Sequence, residues 1–118
     1  VHINRSPVAG QVVDVRYQKG RFRAAFNHLA SVENEKNTLT IEGDGVRVVC
    51  SQIAGLIARR IVCWKSSGNR VERGERIGLI RFGSRVDLTL PNHAVIAVRI
   101  GDRVKGGSST IGTMKNLP

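Results

Sequence analysis

The clearest indication of the fold lies between Thr38 and Cys50, where the sequence reads TLTIEGDGVRVVC. Two runs in which apolar and polar residues alternate lie on either side of residues 42–45, EGDG. Alternation with a period of two is typical of a strand with one buried face, and Asp-Gly between two such runs is a strong signal for a hairpin turn. The stretch therefore predicts an antiparallel hairpin with strands at 38–41 and 46–50.

The rest of the chain continues this pattern of short apolar runs bounded by turn residues. Val8 to Tyr17 reads as a strand that ends at the turn Lys19-Gly20. Residues 29–36 fit either a short helical turn or an ordered loop. Residues 53–64 read as a buried strand, a basic break and a second strand, with a short helix at 56–60 as the alternative. The expected fold is mainly β, with few or no helices.

An internal repeat suggests how the strands are arranged. Gly68 to Gly74, GNRVERG, recurs as Gly101 to Gly107, GDRVKGG, and each copy is followed by Ile-Gly. Turn, short strand, turn and apolar strand is the order found in the hammerhead-like repeats of lipoyl- and biotinyl-type domains. A repeat this short buries its apolar face only against its partner, so the two copies are expected to face each other. The predicted architecture is a small, twisted β-sandwich or barrel.

Length and composition fit one modest domain. The chain has 118 residues, of which 41% are hydrophobic, so 1–118 is predicted to be a single unit. It starts at Val1 inside what reads as a strand or loop, and it is expected to begin within a longer protein. No run approaches the ~18 apolar residues of a membrane span, and the start lacks a signal-peptide pattern. A soluble or peripheral protein is expected.

The charge of the chain predicts an anionic partner. Lys and Arg total 19 against 9 Asp and Glu, a formal net charge of +10, which attracts both nucleic acid and acidic lipid. One Trp, one Tyr and three Phe offer little surface for base stacking, and the basic residues are scattered, which favours lipid. Cys50 and Cys63 lack the spacing of a zinc site and are interpreted as reduced strand thiols.

The residues alone do not single out a catalytic group. His2, His28 and His93 are candidate general bases, and the sequence spacing favours none of them. Gly83-Ser84 reads as a bulge or turn between strands. The serine cluster at residues 106–110, GGSST, is more conspicuous, but it corresponds to an ordinary turn at residues 73–76 of the first repeat copy and is interpreted as structural. A phosphate-binding loop, a zinc-peptidase motif and a nucleophile elbow are all missing from the sequence.

Four segments in order carry a resemblance to a known family. They are Val1 to Gly10 (VHINRSPVAG), Glu33 to Asn37 (ENEKN), Gln52 to Cys63 (QIAGLIARRIVC) and Gly68 to Pro91. Together they resemble the phosphatidylserine decarboxylases, particularly the short bacterial and archaeal branch that includes archaetidylserine decarboxylases. The match extends over nearly the whole chain, and it implies the C-terminal, catalytic portion of such an enzyme.

The resemblance implies that the chain makes its own cofactor. In this family a Gly-Ser bond, often within Leu-Gly-Ser-Thr, is broken without hydrolysis, and Phe82-Gly83-Ser84-Arg85 takes that place here. The Ser84 hydroxyl attacks the Gly83 carbonyl, and elimination from the resulting ester leaves a covalent pyruvoyl group, which forms a Schiff base with the substrate amine. The products are a β chain, 1–83, and an α chain, 84–118. His2 matches the histidine that acts as base, and its acidic partner is expected upstream of Val1.

The implied reaction converts phosphatidylserine or archaetidylserine into the ethanolamine lipid and carbon dioxide. The implied location is peripheral, on an anionic membrane surface at the cytoplasmic face of the cell membrane, without nucleic acid or metal. Relatives of this kind tend to be dimeric, which would give a homodimer of αβ units. Arg59-Arg60, Arg81 and Arg85 either offset the substrate phosphate and the membrane charge or are solvated cations at strand edges.

Two other functions stay open. A carrier or binding module of the lipoyl/biotinyl type needs no catalysis but requires a modifiable Lys at a hairpin tip, and the repeat turns carry Asn69-Arg70 and Asp102-Arg103 instead. A basic β-barrel that binds nucleic acid has the net charge as its only argument.

Overall fold

The computed structural model of the chain describes residues 2–21, 24, 27–55, 60–81 and 83–114. Within these residues, ten strands and one turn of helix form the fold. In chain order they are β1 (His2–Arg5), β2 (Gly10–Gln18), α1 (Ala30–Glu33), β3 (Lys36–Gly43), β4 (Val46–Ile53), β5 (Ile61–Cys63), β6 (Arg70–Val71), β7 (Arg76–Ile80), β8 (Arg85–Thr89), β9 (Ala94–Ile96) and β10 (Gly112–Met114). The mainly β class predicted from the sequence is confirmed.

The predicted hairpin is formed by β3 and β4. The two strands pair from Lys36 opposite Ile53 to Gly43 opposite Val46, so the hairpin is longer than the alternating pattern indicates. Asp44 has φ 51° and Gly45 has φ 74°. Positive φ at both central residues is the requirement of the hairpin turn that Asp-Gly favours, since its twist matches that of the strands.

Two sheets pack against each other around one core. The larger sheet has the strand order β6-β2-β3-β4-β8, the smaller has β1-β7-β5, and β9 and β10 form a separate two-stranded ribbon. Leu39, Ile41 and Cys50 of the larger sheet cluster with Ile77 of the smaller one, and each of these is at most 1% exposed. Because the core lies between the sheets, the molecule has the layered packing expected of a small sandwich.

The uncertain segments are settled in part. Residues 29–36 contain one helical turn, α1, in which the Glu33 N–H donates to the Leu29 carbonyl at 2.9 Å. Cys63 lies on β5, as the second strand of 53–64 predicted, but the alternative helix at 56–60 falls mostly outside the described residues. Among the described residues, no helix has the length and hydropathy needed to cross a membrane.

The glycines of the two repeat copies adopt the same backbone conformation. Gly68 and its counterpart Gly101 have φ 97° and 92°, and Gly74 and its counterpart Gly107 have φ 83° and 82°. A Cβ built on Gly74 would lie 3.6 Å from the Gly107 carbonyl oxygen, so the second turns of the two copies do lie against each other.

The residues between these glycines behave differently in the two copies. In the first copy, Val71 lies on β6, pairs with Gly10 of β2 and is fully buried. In the second copy, Val104 is 51% exposed and residues 102–105 form no strand. The expectation of a strand in both copies is wrong for the second one, because no strand within the described residues pairs with it or covers Val104. The likeness to lipoyl- and biotinyl-type domains stays a prediction.

Candidate active site

The pairing of β1 with β7 places Ser84 beside His2. These strands are antiparallel, and His2 lies opposite Ile80, the last residue of β7. Residues 81–84 then carry the chain from the smaller sheet into β8, which pairs with β4 of the larger sheet. Ser84 therefore lies in the connection between the two sheets, level with the start of β1.

His2 and Ser84 are joined by a hydrogen bond. The Nδ1 atom of His2 is 3.0 Å from the Oγ atom of Ser84. When the imidazole carries its proton on Nε2, Nδ1 is the acceptor and the serine hydroxyl is the donor. Partial burial lowers the pKa of His2 from 6.5, so the neutral ring that can accept a proton predominates at pH 7.

Gly83 has the backbone conformation that a glycine is needed for. Its φ is 81°, in the left-handed region, where an L-residue with a Cβ costs roughly 1–2 kcal/mol. The glycine also leaves the carbonyl that precedes Ser84 without a side chain on its own residue. The Ser84 hydroxyl thus lies between a neutral imidazole and the carbonyl of a glycine that precedes it in the chain, an arrangement suited to attack by the hydroxyl on the peptide bond.

The cations predicted to face a phosphate differ in their surroundings. The Arg85 guanidinium binds Asp87 through Nε to Oδ1 at 2.7 Å and Nη2 to Oδ2 at 3.0 Å, and this hydrogen-bonded pair raises the pKa of Arg85. Its charge is thus largely balanced within the protein. Arg60 and Arg81 are exposed, and Arg59 lies outside the described residues.

The other candidates lie away from this pair. His28 is exposed before α1, and His93 is half-buried between β8 and β9. In the described part of the chain, neither histidine forms a hydrogen bond with a serine. The Ser109 hydroxyl oxygen accepts a hydrogen bond from the Lys105 N–H at 2.7 Å, which stabilises an exposed turn. The cluster at residues 106–110 thus has a structural explanation.

The cysteines are unpaired strand residues. Cys50 on β4 is buried and Cys63 on β5 is half-buried. Burial raises the pKa of Cys50 to about 12, so its thiol stays protonated and unreactive at neutral pH. The described ranges contain no group of three or more His, Cys, Asp and Glu side chains that could hold a metal ion.

A buried row of amide side chains next to the site was missed from the sequence. Asn4, Asn37 and Gln52 are each at most 3% exposed, and Gln52 hydrogen-bonds to both of the others. One signal could have found it. Val48, Cys50 and Gln52 follow each other with a period of two on the inward face of β4, so the pattern places a polar side chain at an apolar position.

Comparison with known proteins links most of this chain to one family. The family model described as phosphatidylserine decarboxylase matches residues 1–112. A protein of Solibacter usitatus named phosphatidylserine decarboxylase proenzyme is 51% identical over 111 residues, which cover 94% of this chain and 54% of the relative. Relatives with the same name from Syntrophus aciditrophicus and Symbiobacterium thermophilum are 47% and 50% identical, covering 96% and 97% of this chain and 54% of each relative.

The chain spans about half the length of the curated relatives it matches. No solved structure matches it.

Proposed function

Because this chain belongs to the phosphatidylserine decarboxylase family, we propose that it is the catalytic portion of an enzyme that cleaves itself between Gly83 and Ser84 and then decarboxylates phosphatidylserine. The products of the reaction would be phosphatidylethanolamine and carbon dioxide. The observation that carries the proposal is the 3.0 Å contact between His2 Nδ1 and Ser84 Oγ, immediately after a glycine with φ 81°.

Self-cleavage begins with the side chains that are already in contact. Nδ1 of His2 takes the hydroxyl proton of Ser84, and Oγ bonds to the Gly83 carbonyl carbon as the peptide C–N bond breaks. His2 then returns that proton to the departing nitrogen, so the amide is replaced by an ester and the nitrogen of residue 84 becomes a free amine. Loss of the residue 84 α-proton then breaks the Oγ–Cβ bond, which releases Gly83 as a carboxylate. Addition of water and departure of ammonia leave a ketone at position 84, so atoms and charge balance.

The residues at position 84 and around it fit the pyruvoyl group that the family implies. Ser84 is the required precursor, it is half-buried rather than sealed in the core, and a base contacts its hydroxyl. A pyruvoyl group supplies an electron-withdrawing carbonyl, which no unmodified side chain provides, to a substrate that loses carboxylate. The proton needed at the product carbon must come from a nearby acid. His2 is the titratable side chain that the described residues place in contact with position 84, which favours it for this second proton transfer.

Charge supports a lipid substrate at an anionic surface. The net charge of +10 attracts acidic membranes, and the exposed side chains of Arg60 and Arg81 lie on segments that flank the smaller sheet. We propose peripheral association with the cytoplasmic face of the cell membrane, and a homodimer of αβ units, with 1–83 in the β chain and 84–118 in the α chain. Diacyl and archaeal ether lipids share the phosphoserine head group, so both fit this proposal.

The experiment uses the full-length protein and vesicles that contain phosphatidylserine. We expect release of carbon dioxide and formation of phosphatidylethanolamine, and borohydride added during turnover should attach lipid mass to the fragment that begins at position 84. Ser84→Ala is the control, and it should lose both signals. An uncut wild-type protein that neither releases carbon dioxide nor takes up lipid mass would contradict the proposal and favour a carrier-like binding module.

A further inference from the structure

Three buried amide side chains form a continuous hydrogen-bonded row between the sheets. The Asn37 amide donates to Gln52 Oε1 at 3.0 Å, and Gln52 Nε2 donates to Asn4 Oδ1 at 2.8 Å and to the Val62 carbonyl at 3.2 Å. Gln52 itself has no exposed surface. A buried amide that loses such partners costs about 1–3 kcal/mol, so this row permits few alternative arrangements of the strands that it joins.

Gln52 connects the two sheets. It lies on β4 of the larger sheet, whereas Asn4 and Val62 lie on β1 and β5, the outer strands of the smaller sheet. The strand between them is β7, and at this level β7 carries Gly78. A Cβ on Gly78 would lie 2.6 Å from Gln52 Nε2 and would also overlap the Val62 carbonyl. Only because this position is a glycine can the Gln52 amide lie across β7 and bind the strands on both sides.

The buried bridge lies next to the candidate catalytic pair. Asn4 is two residues after His2 on β1, so the two side chains share a face of the strand. Gln52 pairs with Val86, which is two residues after Ser84. The exposed His2–Ser84 contact and the buried Asn4–Gln52 contact therefore join the same two layers of the molecule.

We infer that Gln52 is a positioning residue for self-cleavage, which sets the separation of β1 and β8 so that His2 reaches the Ser84 hydroxyl. The inference rests on the proposed function. The buried Nδ2 atom of Asn4 has no hydrogen-bond partner among the described residues. Because an unpaired buried donor costs free energy, a contribution to stability explains the Asn4–Gln52 hydrogen bond less well than a role in positioning. A displacement of about 1 Å between reacting groups is enough to slow a reaction by about 100-fold.

The test compares first-order rates of self-cleavage in the full-length protein. Gln52→Leu keeps most of the side-chain volume and removes the hydrogen bonds, and it should slow cleavage by at least about tenfold. Val48→Ala is the matched control, since it alters a buried residue on the same face of β4 without touching the amide row. It should lower the melting temperature and leave the rate unchanged when both variants are assayed well below their melting temperatures.

A double-mutant cycle separates positioning from general destabilisation. If Gln52 acts through the His2–Ser84 contact, Gln52→Leu should slow the His2→Ala variant by less than about twofold. Asn4→Ala, which removes the other partner, should reproduce the defect without adding to it. Two results would overturn the inference and leave the proposed function standing. One is cleavage of Gln52→Leu at the wild-type rate, and the other is a rate reduction by Gln52→Leu that is as large in the His2→Ala background as in the wild type. A wild-type protein that does not cleave would overturn both.

Discussion

Gly83-Ser84 and Gly107-Ser108 have the same residues and backbone conformation, but Ser84 is half-buried beside a histidine and Ser108 is exposed. Gly83 has φ 81° and Gly107 has φ 82°, and each is followed by a serine. Ser84 is half-buried with its hydroxyl 3.0 Å from a histidine nitrogen. Ser108 is exposed, and its backbone N–H donates to the Lys105 carbonyl at 3.2 Å within a turn. A left-handed glycine before a serine is therefore not sufficient for the proposed chemistry, because a base must come from another strand.

The difference between the two sites comes from their place in the topology. Gly83-Ser84 lies where the chain passes from β7 to β8, between two sheets that are packed on each other. Gly107-Ser108 lies in the loop that joins β9 to β10, a ribbon separate from both sheets. The first residue of β1, which lies opposite the end of β7, is His2, whereas the first residue of β10, which lies opposite the end of β9, is Gly112 and offers no base.

Among the substitutions that distinguish the two Gly-Ser sites, removal of the base should reduce the cleavage rate most. His2→Ala should slow self-cleavage at Ser84 by roughly 10²–10⁴-fold, the usual contribution of a positioned general base, with little change in melting temperature because His2 is exposed. The half-buried His93 is the control, and His93→Ala should cleave at the wild-type rate. Equal effects of the two substitutions would contradict the role of His2.

The pH dependence of the same reaction provides a second readout. A histidine whose pKa is lowered stays neutral until the pH falls below its ordinary value of 6.5. The wild-type rate should thus be constant near neutral pH and fall about tenfold for each pH unit below the His2 pKa. In His2→Ala this fall should be absent, and a midpoint above 6.5 in the wild-type protein would contradict the assignment.

Replacing Gly83 with alanine should slow cleavage less than removal of the base, and the same change at Gly107 is the control. Gly83→Ala forces a Cβ into the left-handed region at a cost of roughly 1–2 kcal/mol, which should slow cleavage by about 5- to 30-fold. Gly107→Ala has the same backbone cost, and its Cβ would lie 2.9 Å from Cδ of Arg5, a side chain that can move. It should lower the free energy of unfolding without slowing cleavage. A cleavage defect equal to that of Gly83→Ala would mean that the two turns are not functionally distinct.

Local signals in the sequence predict where strands form far better than they predict which strands contact each other. The alternating runs around Asp44-Gly45 predict the hairpin because residues next to one another in the sequence determine both its turn and its buried face. The second repeat copy shows the limit of such signals. Val104 has the same local sequence pattern as Val71, but Val71 pairs with a neighbouring strand and Val104 has none.

The candidate site depends on contacts that the sequence does not specify locally. His2 and Ser84 are 82 residues apart, and the register of β1 on β7 brings them together. Among the sequence signals, only the family resemblance relates them, since the residue types favour none of the three histidines and the serine cluster at 106–110 is more conspicuous than Gly83-Ser84. The contacts of Gln52 cannot be predicted from its neighbours in the sequence, because its partners, Asn4 and Val62, belong to a different sheet.

The decisive measurement is the intact mass of the full-length protein after incubation at neutral pH, with Ser84→Ala and Ser108→Ala beside the wild type, because it shows whether the chain is cut at Ser84. We expect a C-terminal fragment that begins at position 84 with a pyruvoyl group in the wild type and in Ser108→Ala, and a single uncut chain in Ser84→Ala. An uncut wild-type chain, or a cut that persists in Ser84→Ala and is lost in Ser108→Ala, would contradict it.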